Sequence, residues 1–598
     1  MNPVARPRDA WNQLPWRQLE KRVFKRQQRI YRASLRGDSS TTHRLQRLLM
    51  QSWSAKCLVV RRVTQDNQGK RSAGVDGVKS LTPSQRLKLV TQLQLTPSGY
   101  PIRRGWIPKP GKPDKRPLGI PVMSDRALQA LVKLALEPEW EAKFEPESFG
   151  FRPGRSLHDA MSAIWQALRL KPTDVLDADI CQCFDGINQQ KLLEKVGTFP
   201  TLTRLLKSWL KAGVMDQGRL FPTETGIPQG GVASPLLANI ALWGLATHIK
   251  KSFPRSIRSN GKQIKPWQPQ VIIYADDCVI LHQNREVIQQ CQHHVQQWLQ
   301  EIGLALHPSK TRIGHRLIPV DGRIGFEFLG FHSRHYTRGK DTSGKTPHGV
   351  PLGYKTLIKP SKESIQRHYR RLVEIGEQHK SAPQEGLIGK LNPVIRGWCN
   401  NYSRVVSSQS FSQLKDRLYS KLRHWARRRH PHKPRRWIAA KYWLLHQGKG
   451  WRFGTKDGVW LLNHTEVPIA RHVKIKGRAT PCDGNWISWS QRRRHHPSTP
   501  KKVAKALHRQ QGRCLHCGLY FTPEDRIEIH HIDGQHSNNT PENLGALHHH
   551  CHAQVHGETR DLSTQSGTYA KSQLGEEPDE SNDSRPVLKP SRGGDSPA

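Results

Sequence analysis

VIIYADDCVIL, residues 271–281, sets Asp276 and Asp277 side by side in a run of β-branched and apolar residues. Val271 to Tyr274 before the pair and Val279 to Leu281 after it predict two short buried strands of a hairpin, with Ala275-Asp276-Asp277 at or near the turn. Adjacent carboxylates repel each other and resist burial, so a pair kept in such surroundings calls for a cation. Polar turn chemistry also places Asp at hairpin tips, and the tetrapeptide alone leaves both readings open.

Composition adds a partner. The 598 residues carry 96 Lys+Arg against 48 Asp+Glu, a formal charge of +48. Charge of that size predicts an extended nucleic-acid surface whose affinity falls steeply with salt. The length predicts several domains at about 100–200 residues each. No long apolar run occurs, and MNPVARPRDAWNQLPW lacks an apolar leader, so neither a membrane span nor secretion is expected. Of ten cysteines, only Cys514, Cys517 and Cys551 sit at ligand-like spacing, which predicts a reducing compartment and one metal site rather than a disulfide framework.

The chain changes texture along its length. Residues 1–80 are basic and helix-prone, with Leu14, Leu19, Val23 and Ile30 as an irregular apolar stripe. From about 100 to 335 the pattern is mixed α/β with Pro/Gly punctuation. Within it, 286–303 predicts a helix whose buried face is Val287, Cys291, Val295, Trp298, Leu299 and Ile302. Residues 360–445 read as basic helices, and 446–505, rich in Gly, Trp and Arg, show no period. Beyond His556, few large apolar residues remain and disorder is expected.

A two-ion site needs a further carboxylate, and DVLDADICQCFDGIN (174–188) offers one: a strand-like run with Asp177 and Asp179 on one face. Polymerases hold two Mg²⁺ roughly 3.5–4 Å apart, one activating the attacking hydroxyl and one stabilising the leaving pyrophosphate. At this point the chain resembles reverse transcriptases, and more narrowly the proteins encoded by mobile group II introns. The resemblance rests on WIPKPGKPDKRPLGIPVMSDRALQ, ESFGFRPGRSLHDA, DADICQCFDGIN, TGIPQGGVASPLLANI, YADD, LHPSKT and FEFLGF, in order over about 70–335. It implies Asp179, Asp276 and Asp277 as the Mg²⁺ ligands, with Asp179 chosen because it directly precedes Ile. It also implies Phe184 as the bulky group favouring deoxynucleotides, Gln229 in the nucleotide pocket, Lys109 and Arg116 on the triphosphate, and Lys310 near the leaving pyrophosphate. Cys181 and Cys183 read as packing residues.

Residues 391–433 resemble the thumb or X domain of group II intron maturases through Gly397-Trp398, Asn401-Tyr402, Phe411 and Trp425 ahead of a basic run. Such a basic helical face with interspersed rings suits RNA, although any single ring there reads first as core. The segment CLHCGLYFTPEDRIEIHHIDGQHSNNTPENLGALHHHCHAQVH (514–556) resembles HNH endonucleases. That resemblance implies a structural Zn²⁺ on Cys514, Cys517, His548 and Cys551, with His548 where the family usually has Cys and with His549 and His550 as competitors. His552 and His556 lie four apart on one helical face, and with His530 they would hold a divalent ion, Mg²⁺ by expectation, on the scissile phosphate. His531 would be the general base, held by the Asn543 amide.

Together these imply a multidomain α+β chain, a right-hand polymerase followed by helical and ββα-metal modules. The expected parts are a basic N-terminal extension of the fingers (1–80), reverse transcriptase fingers and palm (81–340), a helical thumb or maturase domain (341–445), a basic DNA-binding segment (446–508), an HNH endonuclease (509–558) and a disordered tail (559–598). The implied function is an RNA-directed DNA polymerase and splicing maturase that, with its nuclease, moves an intron by target-primed synthesis. Its partners would be intron RNA, double-stranded DNA and deoxynucleoside triphosphates. The expected location is the cytoplasm of a bacterial-type cell, with an organelle as the alternative. Two rivals stand beside it: a splicing cofactor with idle enzymatic sites, against which the intact carboxylates argue, and a reverse transcriptase serving another retroelement.

Overall fold

The hairpin forms as its alternation predicts: strands Gln270–Tyr274 and Asp277–His282 bury Val271 to Tyr274 and Cys278 to His282. The structure is a computed structural model. It describes residues 11–560, apart from 98, 109–114, 172, 260–261, 265, 447, 449, 486–488, 490–491, 493–498 and 522–524. Lys109, and the tail from residue 561, therefore lie outside the described residues.

The hairpin is half of a four-stranded antiparallel sheet, in which Arg312–His315 pairs with Asp174–Asp179, and Asp174–Asp179 pairs with Asp277–His282. The helix Arg285–Glu301 buries Ile288, Cys291, Val295, Trp298 and Leu299, and Ile302 just beyond it is buried too. Val287 sits at the edge of that stripe and only partly enters the core. A second sheet joins Lys115–Ile120, Ile102–Pro108, Val214–Asp216 and Arg219–Phe221. N-terminal helices Trp16–Leu35, Ser39–Gln51 and Trp53–Arg61 cover Met123–Lys143. The first turns Trp16, Leu19, Val23 and Ile30 into that core and leaves most of its Arg and Lys outside.

The chain divides into two units, the described parts of Met1–Phe328, Ser333–Leu357 and Val473–Gln565 in one, and of Leu329–His332 and Ile358–His472 in the other. The second unit contains helices Lys362–Gln378, Gln384–Tyr402, Ser408–Arg429 and Arg435–Tyr442, so the helical reading of 360–445 matches. The basic segment 446–508 is not one body. Its first part completes the helical unit, where the Asn392 amide donates to Trp460 O and accepts from Leu462 N. From Val473 it belongs to the first unit: Ile475 N donates to buried Asp159, and Arg492 forms an ion pair with the same carboxylate. Apolar residues scattered without period, among them Leu461, Ile475 and Trp489, are buried and bind this basic stretch to both units. Among the described residues no helix is long and apolar enough to cross a membrane.

Candidate functional site

Strand register assembles the carboxylates. Asp179, the last residue of its strand, lies opposite Asp277, the first of its own, and Tyr274 closes the hairpin across from Asp277. Between them Ala275 takes φ 54°, a left-handed conformation that strains a residue with a Cβ. Gly150 braces the turn: a Cβ there would stand 2.3 Å from the Ala275 nitrogen, so only glycine permits the approach. Phe149 N donates to Ile273 O at 2.9 Å and Asn239 Nδ2 to Gly150 O at 2.9 Å. Arg152 of the same GFRPGR stretch is fully buried and grips Glu141 through Nε and Nη2 at 2.8 and 2.9 Å, so this residue holds the stretch from inside the core.

Asp177 shares the face of Asp179. Burial first, then the neighbouring Asp277 and Asp179, push its carboxyl up to about 7, against the opposing pull of Arg312. Lys310 Nζ donates to Asp179 Oδ2 at 3.0 Å, so an ammonium stands on the carboxylate expected to bind metal. The carboxylates of Asp179, Asp276 and Asp277 do not offer three oxygens all within 4.8 Å of one another. All three residues are half-buried, Asp179 and Asp277 directly opposite each other at two strand ends and Asp276 in the adjoining turn, a donor set that fits hard divalent cations. Cys183 is buried and its thiol is pushed up to about 12 by burial and by Asp276, as suits a packing residue.

The nucleotide side is tied to the same strand ends. Ile227 N donates to Phe184 O at 2.6 Å, and the Phe184 ring meets Phe151 edge-on at 6.2 Å. Gly226, with φ +80°, lies so close to Phe184 O and Asp185 O that a side chain would displace the loop. Gln229 O accepts from Gly119 N at 2.6 Å, which fixes the PQGG loop on the strand that carries Arg116.

The comparisons match these elements in order. The family described as "N-terminal domain of reverse transcriptase" covers residues 11–93. "Reverse transcriptase (RNA-dependent DNA polymerase)" covers 107–333, and "Group II intron, maturase-specific domain" covers 365–443. The chain is 32% identical to Protein YkfC of Escherichia coli (strain K12) over 338 residues, 47% of this chain and 84% of that one. It is 32% identical to the group II intron-encoded protein LtrA of Lactococcus lactis subsp. cremoris over 206 residues, 33% of this chain and 34% of LtrA. Maturase-like protein 1 of Euglena gracilis is 34% identical over 160 residues, 25% of this chain and 33% of the relative. The chain belongs to the group II intron reverse transcriptase and maturase family. Membership implies RNA and nucleotides as partners and a divalent metal at the polymerase centre.

In the maturase-specific region the aromatic residues singled out from the sequence are core. Trp398 stacks on His368 at 4.6 Å and packs against Tyr402 and Phe411. The Tyr402 hydroxyl lies 2.5 Å from Ser364 Oγ, and Trp425 Nε1 donates to His379 O at 2.9 Å. The exposed rings are instead Tyr419, edge-on to Trp443 at 5.6 Å, Trp437, edge-on to His430 at 4.9 Å, and, beyond the matched region, Trp451, 70% exposed.

Two clusters of potential metal ligands lie beyond residue 443 in this reverse transcriptase and maturase, each with ligand atoms within 4.8 Å of one another. The first is Cys514, Cys517, His548 and Cys551, all buried. Its Cys turn closes with Gly518 N donating to Cys514 O at 2.9 Å, and Leu515 N to Ala546 O ties it to the strand Leu544–His548. His548 Nδ1 faces Cys517 Sγ at 3.3 Å, and Asp525 lies 3.5 Å from its Nε2, where a carboxylate orients a ligating imidazole. The competitors point elsewhere: His549 Nδ1 is 2.6 Å from Glu528, and His550 Nε2 is 3.6 Å from Glu20. Hydrogen bonds from Cys517 and Cys551 hold the Cys514 thiol well below the usual range, which is thiolate chemistry suited to a soft divalent ion.

The second cluster is His530, His552 and His556. His530 is the penultimate residue of the strand Ile527–His531, and the other two share a face of the helix His549–Arg560, with Nε2 atoms 3.1 Å apart. His530 Nδ1 is buried with no hydrogen-bond partner, as an open coordination position would be. Glu528 takes His552 Nδ1 at 2.8 Å, which leaves Nε2 toward the cluster. Sequence reasoning missed Glu528 and Asp525, although the i, i+2 spacing of Glu528 and His530 puts both on one strand face.

One expectation needs correction. The Asn543 amide does not hold His531. It donates to Asp533 Oδ1 at 2.7 Å and Asn538 O at 2.8 Å, and its oxygen accepts from Asp533 N at 2.9 Å. Both of its N–H groups are thus spent on the loop after the His pair. His531 Nε2 faces Asn539 Oδ1 at 3.5 Å instead.

Proposed function

We propose that this chain is a group II intron-encoded RNA-directed DNA polymerase and splicing maturase with an HNH DNA endonuclease, acting in splicing and target-primed intron mobility. The observation that carries the proposal is the presence in one chain of facing Asp179 and Asp277 and of a His530–His552–His556 cluster next to His531. Two Mg²⁺ on Asp179, Asp276 and Asp277 would supply hydroxyl activation and charge neutralisation during DNA synthesis. Phe184 would crowd a 2′-hydroxyl, while Gln229, Lys109 and Arg116 would seat the deoxynucleoside triphosphate. Lys310 would leave Asp179 for the departing pyrophosphate.

In the nuclease a divalent ion, Mg²⁺ by preference, would polarise the scissile phosphate. His530, His552 and His556 would hold it, and neutral His531 would accept a proton from the attacking water. Asn543 would act one step back, by fixing the Asp533–Asn538 loop. Cys514, Cys517, His548 and Cys551 would bind a structural Zn²⁺. The exposed basic and aromatic face of the helical unit would take intron RNA, and basic stretches of 446–508 double-stranded DNA.

Two variants of the full chain test this with the intron RNA and DNA target present. Asp276→Ala with Asp277→Ala should lower primer extension at least about 10³-fold while splicing continues. His531→Ala should lower second-strand nicking by about 10²–10⁴-fold and leave extension unchanged. Extension surviving the first, or nicking surviving the second, rejects the corresponding assignment.

A further inference from the structure

The sheet that carries Asp179 also buries a cation unused by polymerase or nuclease chemistry. Arg316 follows the strand Arg312–His315 and is 0% exposed. Its amide donates to Thr173 O at 3.3 Å and its carbonyl accepts from His335 N at 3.1 Å, so the backbone is fixed from both sides. The guanidinium carbon lies 5.5 Å from the Phe326 ring centroid. Nevertheless Nε, Nη1 and Nη2 are all buried without a hydrogen-bond partner among the described residues. Arg152 shows the contrast: equally buried, it makes four hydrogen bonds, two of them to a carboxylate.

The surroundings of Arg316 are hydroxyls in the same condition. Thr173 Oγ1 and Ser333 Oγ, both on residues 0% exposed, and the Tyr354 hydroxyl, on one 4% exposed, are buried and unpartnered. Thr173 is the backbone neighbour of Arg316, so the two side chains share a face, and Ser333 shares one with His335 two residues along. The Tyr354 ring packs at 4.4 Å on His335. His335 offers no countercharge: its Nδ1 pairs with Thr356 Oγ1 at 2.9 Å, and burial, then Arg316, push the imidazole down to about 3. Burial pulls Arg316 down as well, to about 9, which leaves it a cation at neutral pH.

A lone guanidinium in a dry interior costs far more than a domain can spare, and arginine does not relieve it by losing its proton. Something negative belongs beside it. We propose that Arg316, Thr173, Ser333 and Tyr354 form a buried site for one small monovalent anion of the halide class. Complete burial excludes a nucleotide or a phosphodiester. One cation without a second matches one negative charge, and three O–H groups can turn toward it to complete the shell.

The test uses the full chain. Crystals grown in bromide should show an anomalous peak at the Arg316 guanidinium. In solution, exchange of glutamate for bromide at constant ionic strength should raise Tm saturably, and Arg316→Met should abolish that rise. Thr173→Val with Ser333→Ala removes two donors with little change of volume and should weaken apparent bromide affinity about ten-fold. It decides the matter if Arg316→Met does not fold. Solvent density without anomalous signal at Arg316, an equal Tm rise in Arg316→Met, or unchanged affinity in the double variant would each overturn the proposal.

Discussion

The polymerase centre and the C-terminal Cys and His clusters solve one problem, gathering groups that repel or resist burial, over very different lengths of chain. Asp179 and Asp277 meet only because two strands from distant parts of the sequence pair in one register, and Lys310 reaches Asp179 across 131 residues. A one-residue slip would turn Asp179 to the other face, so the large core beneath the sheet is what specifies the site. The Cys and His clusters draw on residues 514–556 alone and rest on a core of Val503, Leu507, Phe521 and Leu547 with the cysteines themselves. There the ligands are part of what holds the module together. The polymerase site should therefore keep its fold without metal, and the C-terminal module should not.

The largest effect that separates the two belongs to Cys514→Ser with Cys517→Ser. Structural zinc contributes about 10 kcal/mol or more to modules of this kind, beyond what so small a core can replace. The variant should bind essentially no zinc and become protease-sensitive from about residue 500 on, while primer extension is unchanged. A protease-resistant C-terminal module in the zinc-free protein would break the comparison.

Next in size is Glu528→Gln. Glu528 accepts from both His549 and His552, and these bonds hold its carboxyl well below the usual range despite its burial. Loss of that charge should weaken divalent-ion affinity at the His cluster by about 10–100-fold, read as the Mg²⁺ or Mn²⁺ dependence of nicking. Asn543→Ala should cost less, about ten-fold in nicking at unchanged metal dependence, because it loosens the Asp533–Asn538 loop and removes no ligand. A shifted metal dependence in Asn543→Ala would place it nearer the ion than its hydrogen bonds do.

How far the sequence disclosed this follows the same division. The YADD hairpin, the Asp174–Asp179 strand and the Arg285–Glu301 helix were legible because alternation and helical period are local signals. His552 and His556 were legible for the same reason, being four apart on a helix. What was not legible depended on partners remote in sequence, as with Lys310 on Asp179 and the division of 446–508 between two units, or on the path of a loop, which places the Asn543 amide on Asp533 rather than His531. His548, His549 and His550 could not be ranked as ligands from spacing, and their distinct neighbours Asp525, Glu528 and Glu20 separate them. The bare guanidinium of Arg316 leaves no trace in a basic sequence at all.

The smallest predicted effect probes the polymerase side. Asp177 has its carboxyl raised to about 7, from the usual carboxylate range near ~3.9, by burial and by Asp277 and Asp179. A group raised in this way holds its proton longer in the folded state, so its contribution favours folding below about pH 4, declines as pH rises to about 7, and is constant above. Asp177→Asn removes that decline. In EDTA the variant should gain on the parent protein steadily between about pH 4 and 7, by up to about 2 kcal/mol after discounting for solvent and the opposing Arg312, and run parallel beyond. Added Mg²⁺ should shrink the gain, because cations beside Asp179 and Asp277 would offset the repulsion that raises Asp177. Primer extension should persist in Asp177→Asn and vanish in Asp179→Asn, which would fix the metal-binding role on the residue that faces Asp277. If extension vanished in both, the cations would be held by four carboxylates, and Asp177 would be a ligand rather than the neighbour that bears the proton.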